Sequence, residues 1–191
     1  MTRIIAGSAR GRRLQVPAGT ATRPTSDRVR EALFSRLQHE ELLTGTRVLD
    51  LYAGSGALGL EAASRGAAHV LLVDSGRAAV TSARRNAAAV AAAAVEVRQA
   101  GVAAVLATPP EKPYDLVLVD PPYPLGEDEL ASCLALLVER DWLAEAAVVV
   151  VERSSRGPEP GWPDGLVRFD ERRYGETRLW LAETVTPPAG A

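Results

Sequence analysis

Lysine is nearly missing from this chain of 191 residues: of its 22 basic residues, only Lys112 is not an arginine. Cysteine is represented by Cys133 alone, which has no partner in the chain, so a disulfide scaffold is excluded. The two histidines, His39 and His69, lack Cys or carboxylate partners at ligand spacing, and no metal site is expected. No uncharged apolar run approaches the ~20 residues that a membrane span needs. The N-terminal stretch MTRIIAGSARGRR is too short in apolar residues for a signal peptide. These absences lead to the expectation of a soluble, cytoplasmic protein. What is present, 47% hydrophobic and 24% charged residues, is ordinary for a globular chain and excludes wholesale disorder. The length suits one domain with a small appendage.

The near-neutral total charge of −2 hides an asymmetry. Residues 1–36 carry eight arginines against Asp27 and Glu31, a net +6, while the remainder holds 14 basic and 22 acidic residues. A basic arm on an acidic body points to a polyanion met by one end of the molecule. A solvated, arginine-rich surface is the plainer alternative. Guanidinium suits phosphate through its planar fork of donors.

Short strand-like runs at 3–6 and 12–16 around Gly7 and Gly11 predict a basic β-hairpin. Pro24 disfavours helix at Arg23, Ser26 or Asp27 can cap a helix from about Arg28, and Val29, Leu33 and Leu37 give that helix one apolar stripe. From Val48 onward, apolar strand runs alternate with helices. VLDLY (48–52), VLLVD (70–74), VEVR (95–98), DLVLVD (115–120) and VVVVE (148–152) read as strands, with helices after the first two and near 127–139. LVRFDE and TRLWLAE flank RRYGE as an antiparallel hairpin would. The pattern predicts an α/β fold with a parallel sheet covered on both faces and an antiparallel closing hairpin. Three parts are expected: a basic extension over 1–38, the α/β domain over 39–185, and a frayed tail over 186–191.

Asp50-Leu-Tyr-Ala-Gly54-Ser55-Gly56-Ala-Leu-Gly59 follows a strand and opens a helix, with the spacing G-x-G-x-x-G. Glycines permit a tight turn and close ligand approach, and the helix start offers free N–H groups. The next strand ends in Asp74, which can accept hydrogen bonds from both hydroxyls of an adenosine ribose. A purely structural glycine turn is the alternative. The fingerprint alone does not choose between a dinucleotide and S-adenosylmethionine (SAM). Asp50 favours SAM, because a carboxylate there suits a cationic methionine end and repels a pyrophosphate. Asp50 could instead satisfy N–H groups of the turn itself.

Asp120-Pro121-Pro122-Tyr123 directly follows a strand, where the crevice of an open α/β sheet lies. The prolines stiffen the turn and remove two donors, which leaves the Asp120 carboxylate and the Pro121 carbonyl as acceptors. Tyr123 offers a flat face to a base. Such a site suits methylation of an exocyclic amine. Its lone pair is delocalised into the ring, and two acceptors on its hydrogens favour a pyramidal nitrogen and stabilise the charge that develops. A rigid turn without chemistry is the alternative. Cys133 reads as core, Trp142, Trp162 and Trp180 as core or as platforms for a base, and Tyr174 and Gly175 could be a plain turn or lie near the cleft.

RIIAGSARGRRLQVP, RPTSDRVREALF, VLDLYAGSGALGLEA, VDSGRAAV and VDPPY together resemble the RsmD family of 16S rRNA guanine-N2 methyltransferases, over nearly the whole chain. The resemblance implies a class I SAM-dependent, Rossmann-like sheet of seven strands with an antiparallel C-terminal hairpin and an N-terminal hairpin arm. It implies methylation of a guanine in 16S rRNA, within the small ribosomal subunit or its assembly intermediate. A monomer without metal is expected. Carried over, Gly54, Ser55 and Gly56 would hold the methionine end, Asp74 the ribose, and Asp120 with Pro121 and Pro122 the guanine N2, with Tyr123 stacked on the base. Thr25 and Arg28 would lie over the cofactor cleft, and Arg10, Arg12 and Arg13 would touch RNA phosphates. The stretch Ala100-Gly101-Val102 departs from relatives of this fold, which place a polar residue there, so the adenine is expected to meet only backbone at Gly101. Competing readings are an adenine-N6 or cytosine-N4 nucleic-acid methyltransferase, a non-catalytic nucleotide-binding regulator, and an RNA-binding assembly factor. A protein-glutamine methyltransferase fits less well, given the arginine-rich arm and Asp at position 120.

Overall fold

The computed structural model describes residues 2–17, 27–90, 94–122 and 124–185. After the arm comes α1 (Asp27–His39), then β1 (Arg47–Leu51), α2 (Ala57–Ser64), β2 (His69–Asp74), α3 (Arg77–Val90) and β3 (Ala94–Gln99). The second half holds α4 (Val102–Leu106), β4 (Tyr114–Val119), α5 (Glu127–Glu139), β5 (Leu143–Ser154), β6 (Leu166–Tyr174) and β7 (Thr177–Thr184). The strands form one seven-stranded sheet in the order β3-β2-β1-β4-β5-β7-β6. β1 to β5 run parallel, and β7 is antiparallel to both β5 and β6. The order turns at β1 and β4, so the crevice between their carboxyl ends is where this topology places a ligand.

Strand residues sort by parity onto two cores. Val48, Val70, Leu72, Leu116, Leu118, Val148 and Val150 pack with α1, α2 and α3. Leu49, Leu51, Leu71, Val73, Val117, Val119, Val149 and Val151 pack with α4 and α5. Burial on both faces explains the near-continuous apolar strands in the sequence. The stripe Val29, Leu33 and Leu37 of α1 is buried, as its spacing predicts.

Two local expectations are revised, and α4, in alanine-rich surroundings, carries no signal in the sequence. β5 starts at Leu143 and reaches 148 through a register shift, with Ala146 at φ 57. Arg172, Arg173 and Tyr174 belong to β6, so the turn before β7 is Gly175-Glu176 rather than RRYGE. Cross-strand pairing down to Tyr174–Thr177 outweighs the local charge density. Cys133, Trp142 and Trp180 are buried in the core, and Trp162 packs against it half-exposed. Among the described residues no helix is long and apolar enough to cross a membrane.

The arm folds back on itself. Ile4 N–H donates to Arg12 O at 2.9 Å, Gly11 N–H to Ile4 O at 2.8 Å and Leu14 N–H to Thr2 O at 2.9 Å, around an antiparallel bridge between Arg3 and Arg13. It docks on α2. Glu61, fully buried, accepts from Ile5 N–H at 2.8 Å and Ala6 N–H at 3.0 Å. Ser64 accepts from Ala9 N–H at 3.0 Å and donates to Ala6 O at 2.6 Å. A Cβ at Gly7, where φ is +82°, would overlap the Ser64 carbonyl. Arg65 donates to Glu61 at 2.8 Å, and the buried Arg30 donates to Arg3 O at 2.5 Å. Burial lowers the Arg30 pKa, although Asp27 and Glu61 oppose that.

Candidate active site

A cleft of about 350 Å³ opens at the carboxyl ends of β2, β1, β4 and β5. Its lining brings together Asp50, Gly54, Ser55, Asp74, Asp120, Pro121 and Pro122, which the sequence singles out from two separate motifs.

The glycine loop is built on its own hydrogen bonds. Asp74 accepts from Gly54 N–H at 2.8 Å through one oxygen and from Gly76 N–H at 2.7 Å through the other. Asp50, 1% exposed, accepts from Gly59 N–H at 2.8 Å through Oδ2. Gly54 and Gly56 take φ values of 57 and 80, which favour glycine. Gly59 is required by packing instead: a Cβ would overlap Leu72 and crowd the Asp50 carboxylate. The two readings of Asp50 therefore divide between its oxygens. Oδ2 holds the turn, and Oδ1 is buried beside the cleft without a hydrogen-bond partner among the described residues. Burial above all, with the neighbouring Asp74 charge, pushes the Asp50 pKa up to about 7, against the pull of the Gly59 N–H.

Asp120 is fixed to the glycine side of the site, because its N–H donates to Leu51 O at 3.4 Å. Pro122 O accepts from Leu125 N–H at 2.9 Å, closing the turn. Tyr52 lines the cleft at φ 61, with its hydroxyl 3.3 Å from Cys133 Sγ, and burial raises its pKa.

Other expected residues lie elsewhere. Gly56 is in the loop but does not line the cleft, and Gly101 caps α4 outside the lining. Arg28 is exposed on the first turn of α1 and does not border the cleft, which departs from the expected place over the cofactor. Arg10, Arg12 and Arg13 are exposed on the arm, and Gly175 is exposed away from the lining. Thr25 and Tyr123 lie outside the described residues, as do Ser26 and the tail over 186–191. Among the described residues no cluster of His, Cys, Asp and Glu could hold a metal ion.

The structure adds residues that no motif marked. Val16 and Pro17, at the end of the arm, line the cleft, and so do Glu152, Arg153 and Ser154 of β5. Asn86 of α3 ties the arm to the glycine loop. It accepts from Gln15 N–H at 2.8 Å and donates to Gln15 O and Ser55 O, each at 2.9 Å.

This architecture and motif set have known counterparts. The family model Conserved hypothetical protein 95 matches residues 2–183. Ribosomal RNA small subunit methyltransferase D of Escherichia coli strain K12 is 40% identical over 183 residues, covering 95% of this chain and 90% of that one. The chain belongs to the RsmD family. A solved Escherichia coli structure, yhhF, matches this RsmD-family chain with a TM-score of 0.85 at 35% identity, over 97% of this chain and 98% of that one. Magnesium protoporphyrin IX methyltransferase from Synechocystis, solved with bound SAM, shares the fold alone, with a TM-score of 0.66 at 17% identity over 83% of this chain and 79% of that one. The class I Rossmann-like sheet expected from the sequence is therefore the fold of this RsmD-family enzyme.

Proposed function

We propose that this chain transfers a methyl group from SAM to the exocyclic N2 of a guanine in 16S rRNA, within the small ribosomal subunit or its assembly intermediate. One observation carries the reading: a single cleft is lined both by the glycine loop with Asp50 and Asp74 and by Asp120-Pro121-Pro122. The name of the E. coli relative supports the rRNA substrate.

The residues present fit SAM. The unpartnered Oδ1 of Asp50 is an acceptor suited to a cationic methionine end, and the glycine loop leaves space for ligand against backbone. Gly54 and Ser55 would hold the methionine end, with Gly56 shaping the loop behind them, Asp74 the ribose, and Val102 the adenine side of the cleft. Bound SAM supplies a methyl group on a sulfonium sulfur, open to direct displacement by nitrogen. The enzyme's part is to aim the nitrogen and draw electron density toward it. Asp120 and the Pro121 carbonyl accept the amine hydrogens, and as positive charge grows on nitrogen those bonds strengthen. The proton lost from nitrogen passes toward the Asp120 side of the site.

The chemistry is checked by incubating undermethylated small subunits with labelled SAM and digesting the RNA. Label is expected in N2-methylguanosine, and label confined to N6-methyladenine or N4-methylcytosine would overturn the base assignment. NAD bound more tightly than SAM would overturn the cofactor assignment.

Asp50 makes SAM binding depend on pH. Its pKa in the free protein is raised from 3.8 to about 7. The stability it contributes is thus fully present below about pH 4 and lost as pH rises through about 7. A cation beside it favours the carboxylate, so SAM affinity is expected to rise between pH 6 and 8, with release of a proton on binding below pH 7. Calorimetry in two buffers of different ionisation enthalpy reads that proton. An equal heat in both at pH 6 would remove Asp50 from the cation's surroundings.

The arm supplies a separable contact. Replacing Arg10, Arg12 and Arg13 with glutamine is expected to reduce the slope of log affinity for RNA against log salt by about 2 to 3, one phosphate contact per arginine. SAM affinity should hold. A fall in SAM affinity with an unchanged RNA slope would assign the arm to the cofactor cleft instead.

A further inference from the structure

Asp120 and the Pro121 carbonyl grip an exocyclic amine whichever base carries it, so a second group must select guanine. We propose that Glu152 does so, by accepting the N1–H of guanine beside the N2 amine held at Asp120. The proposal rests on the guanine-N2 reading of the site.

The sheet sets the two carboxylates side by side. β4 and β5 run parallel with Leu118 opposite Val150 and Val119 opposite Val151. The next residues are Asp120, just past the end of β4, and Glu152, still within β5, on chains that have run about 4.8 Å apart. Leu118 and Val150 face the core formed with α1, α2 and α3. Two residues further, Asp120 and Glu152 therefore project on that same side, above Asp50, and both line the cleft. Arg153, of opposite parity, turns to the other side, where it donates to Leu125 O at 3.0 Å and pairs with Glu127. On β7 the residue facing Glu152 is the apolar Leu179. Glutamate reaches one methylene further than aspartate, which suits an atom next to the amine rather than the amine itself.

The bases differ at that neighbouring atom. Guanine presents an N1–H donor next to its amine. Adenine has a bare N1 lone pair next to N6, and cytosine a bare N3 lone pair next to N4. Two adjacent carboxylates match a donor–donor edge, and the second of them opposes a lone pair. Ser154 is two residues further along the same side and also lines the cleft. Its oxygen accepts from Arg156 N–H at 3.3 Å, and its hydroxyl proton can be given to guanine O6.

The test uses small subunits in which the mapped target guanine is replaced by 2-aminopurine. That base keeps the N2 amine but has a bare N1 and no O6. For the unaltered enzyme, kcat/KM is expected to fall by about a hundredfold or more on the change of base, since unmatched polar groups are strongly rejected. Glu152→Gln, whose amide can donate to N1, is expected to narrow that ratio to below about tenfold, with SAM affinity unchanged. Glu152→Ala removes the opposing charge and is expected to narrow it as well. A ratio that stays at the unaltered enzyme's value in active, SAM-binding variants overturns the proposal alone. Loss of SAM affinity in both variants overturns it too, by assigning Glu152 to the cofactor. An unaltered enzyme that leaves every guanine unmodified overturns the guanine-N2 reading, and the proposal with it.

Discussion

Replacing Asp120 with alanine is expected to lower methyl transfer by about a thousandfold or more, with SAM affinity held within about threefold. The size follows from what the residue is asked to do. An amine conjugated with a purine ring is a poor nucleophile, and on the proposed reading Asp120 and the Pro121 carbonyl are the acceptors set on its hydrogens as charge develops during attack. Asp120 is the carboxylate at the switch between β1 and β4, tied by its own N–H to Leu51 O at 3.4 Å. The glycine loop has its own supports in Asp50 and Asp74 and does not depend on it. Asp120→Asn is expected to fall between, because it keeps one acceptor oxygen and turns a donor toward the amine. Single-turnover transfer with calorimetric SAM binding separates the two effects. Undiminished turnover in Asp120→Ala would remove Asp120 from the chemistry.

The second large effect is on stability. Glu61→Ala is expected to cost about 3–5 kcal/mol, the range for breaking a buried ion pair from one side. The carboxylate is fully buried and accepts from two arm N–H groups and from Arg65, with Arg30 Nε 3.9 Å away. Its removal leaves two N–H donors without their acceptor and takes a carboxylate from two buried guanidinium groups. Arg30 keeps Asp27 at 2.9 Å through Nη2 and Arg65 keeps Gln38 at 2.9 Å, but Arg30 Nε and Nη1 already lack hydrogen-bond partners among the described residues. Glu61→Gln keeps an acceptor and should cost less. Urea denaturation of the three proteins measures this, and a loss below 1 kcal/mol for alanine would mean that Ser64, Asn86, Arg30 and packing hold the arm without Glu61.

These two residues also mark the limits of reading the sequence. Asp120 was legible, since an apolar strand ending in a carboxylate and two prolines is a local signal. So was the loop from Asp50 to Gly59, because its glycine spacing between a strand and a helix is a local signal, although Asp74 and Leu72, which support it, come from the next strand. Glu61 was not. It sits in an alanine-rich helix, and its arm partners are 55 and 56 residues away. Asn86 joins Gln15 and Ser55 from a helix whose polar residues otherwise face solvent, and only the fold reveals the difference. Glu152 looked like the end of a buried strand, and its place beside Asp120 depends on register between two strands. Arg172 and Arg173 misled in the other direction, because charge density suggests a turn where an edge strand has polar residues to spare.

The central claim is that one cleft brings a cofactor site and an amine-gripping site to a guanine of the small subunit. Its most direct measurement is kcat/KM for transfer of labelled methyl from SAM to undermethylated 30S particles, naked 16S rRNA and duplex DNA, with the modified nucleoside identified by chromatography and mass. N2-methylguanosine is expected, made most efficiently on the particles. Equal or better transfer to duplex DNA, with label in N6-methyladenine or N4-methylcytosine, would contradict it.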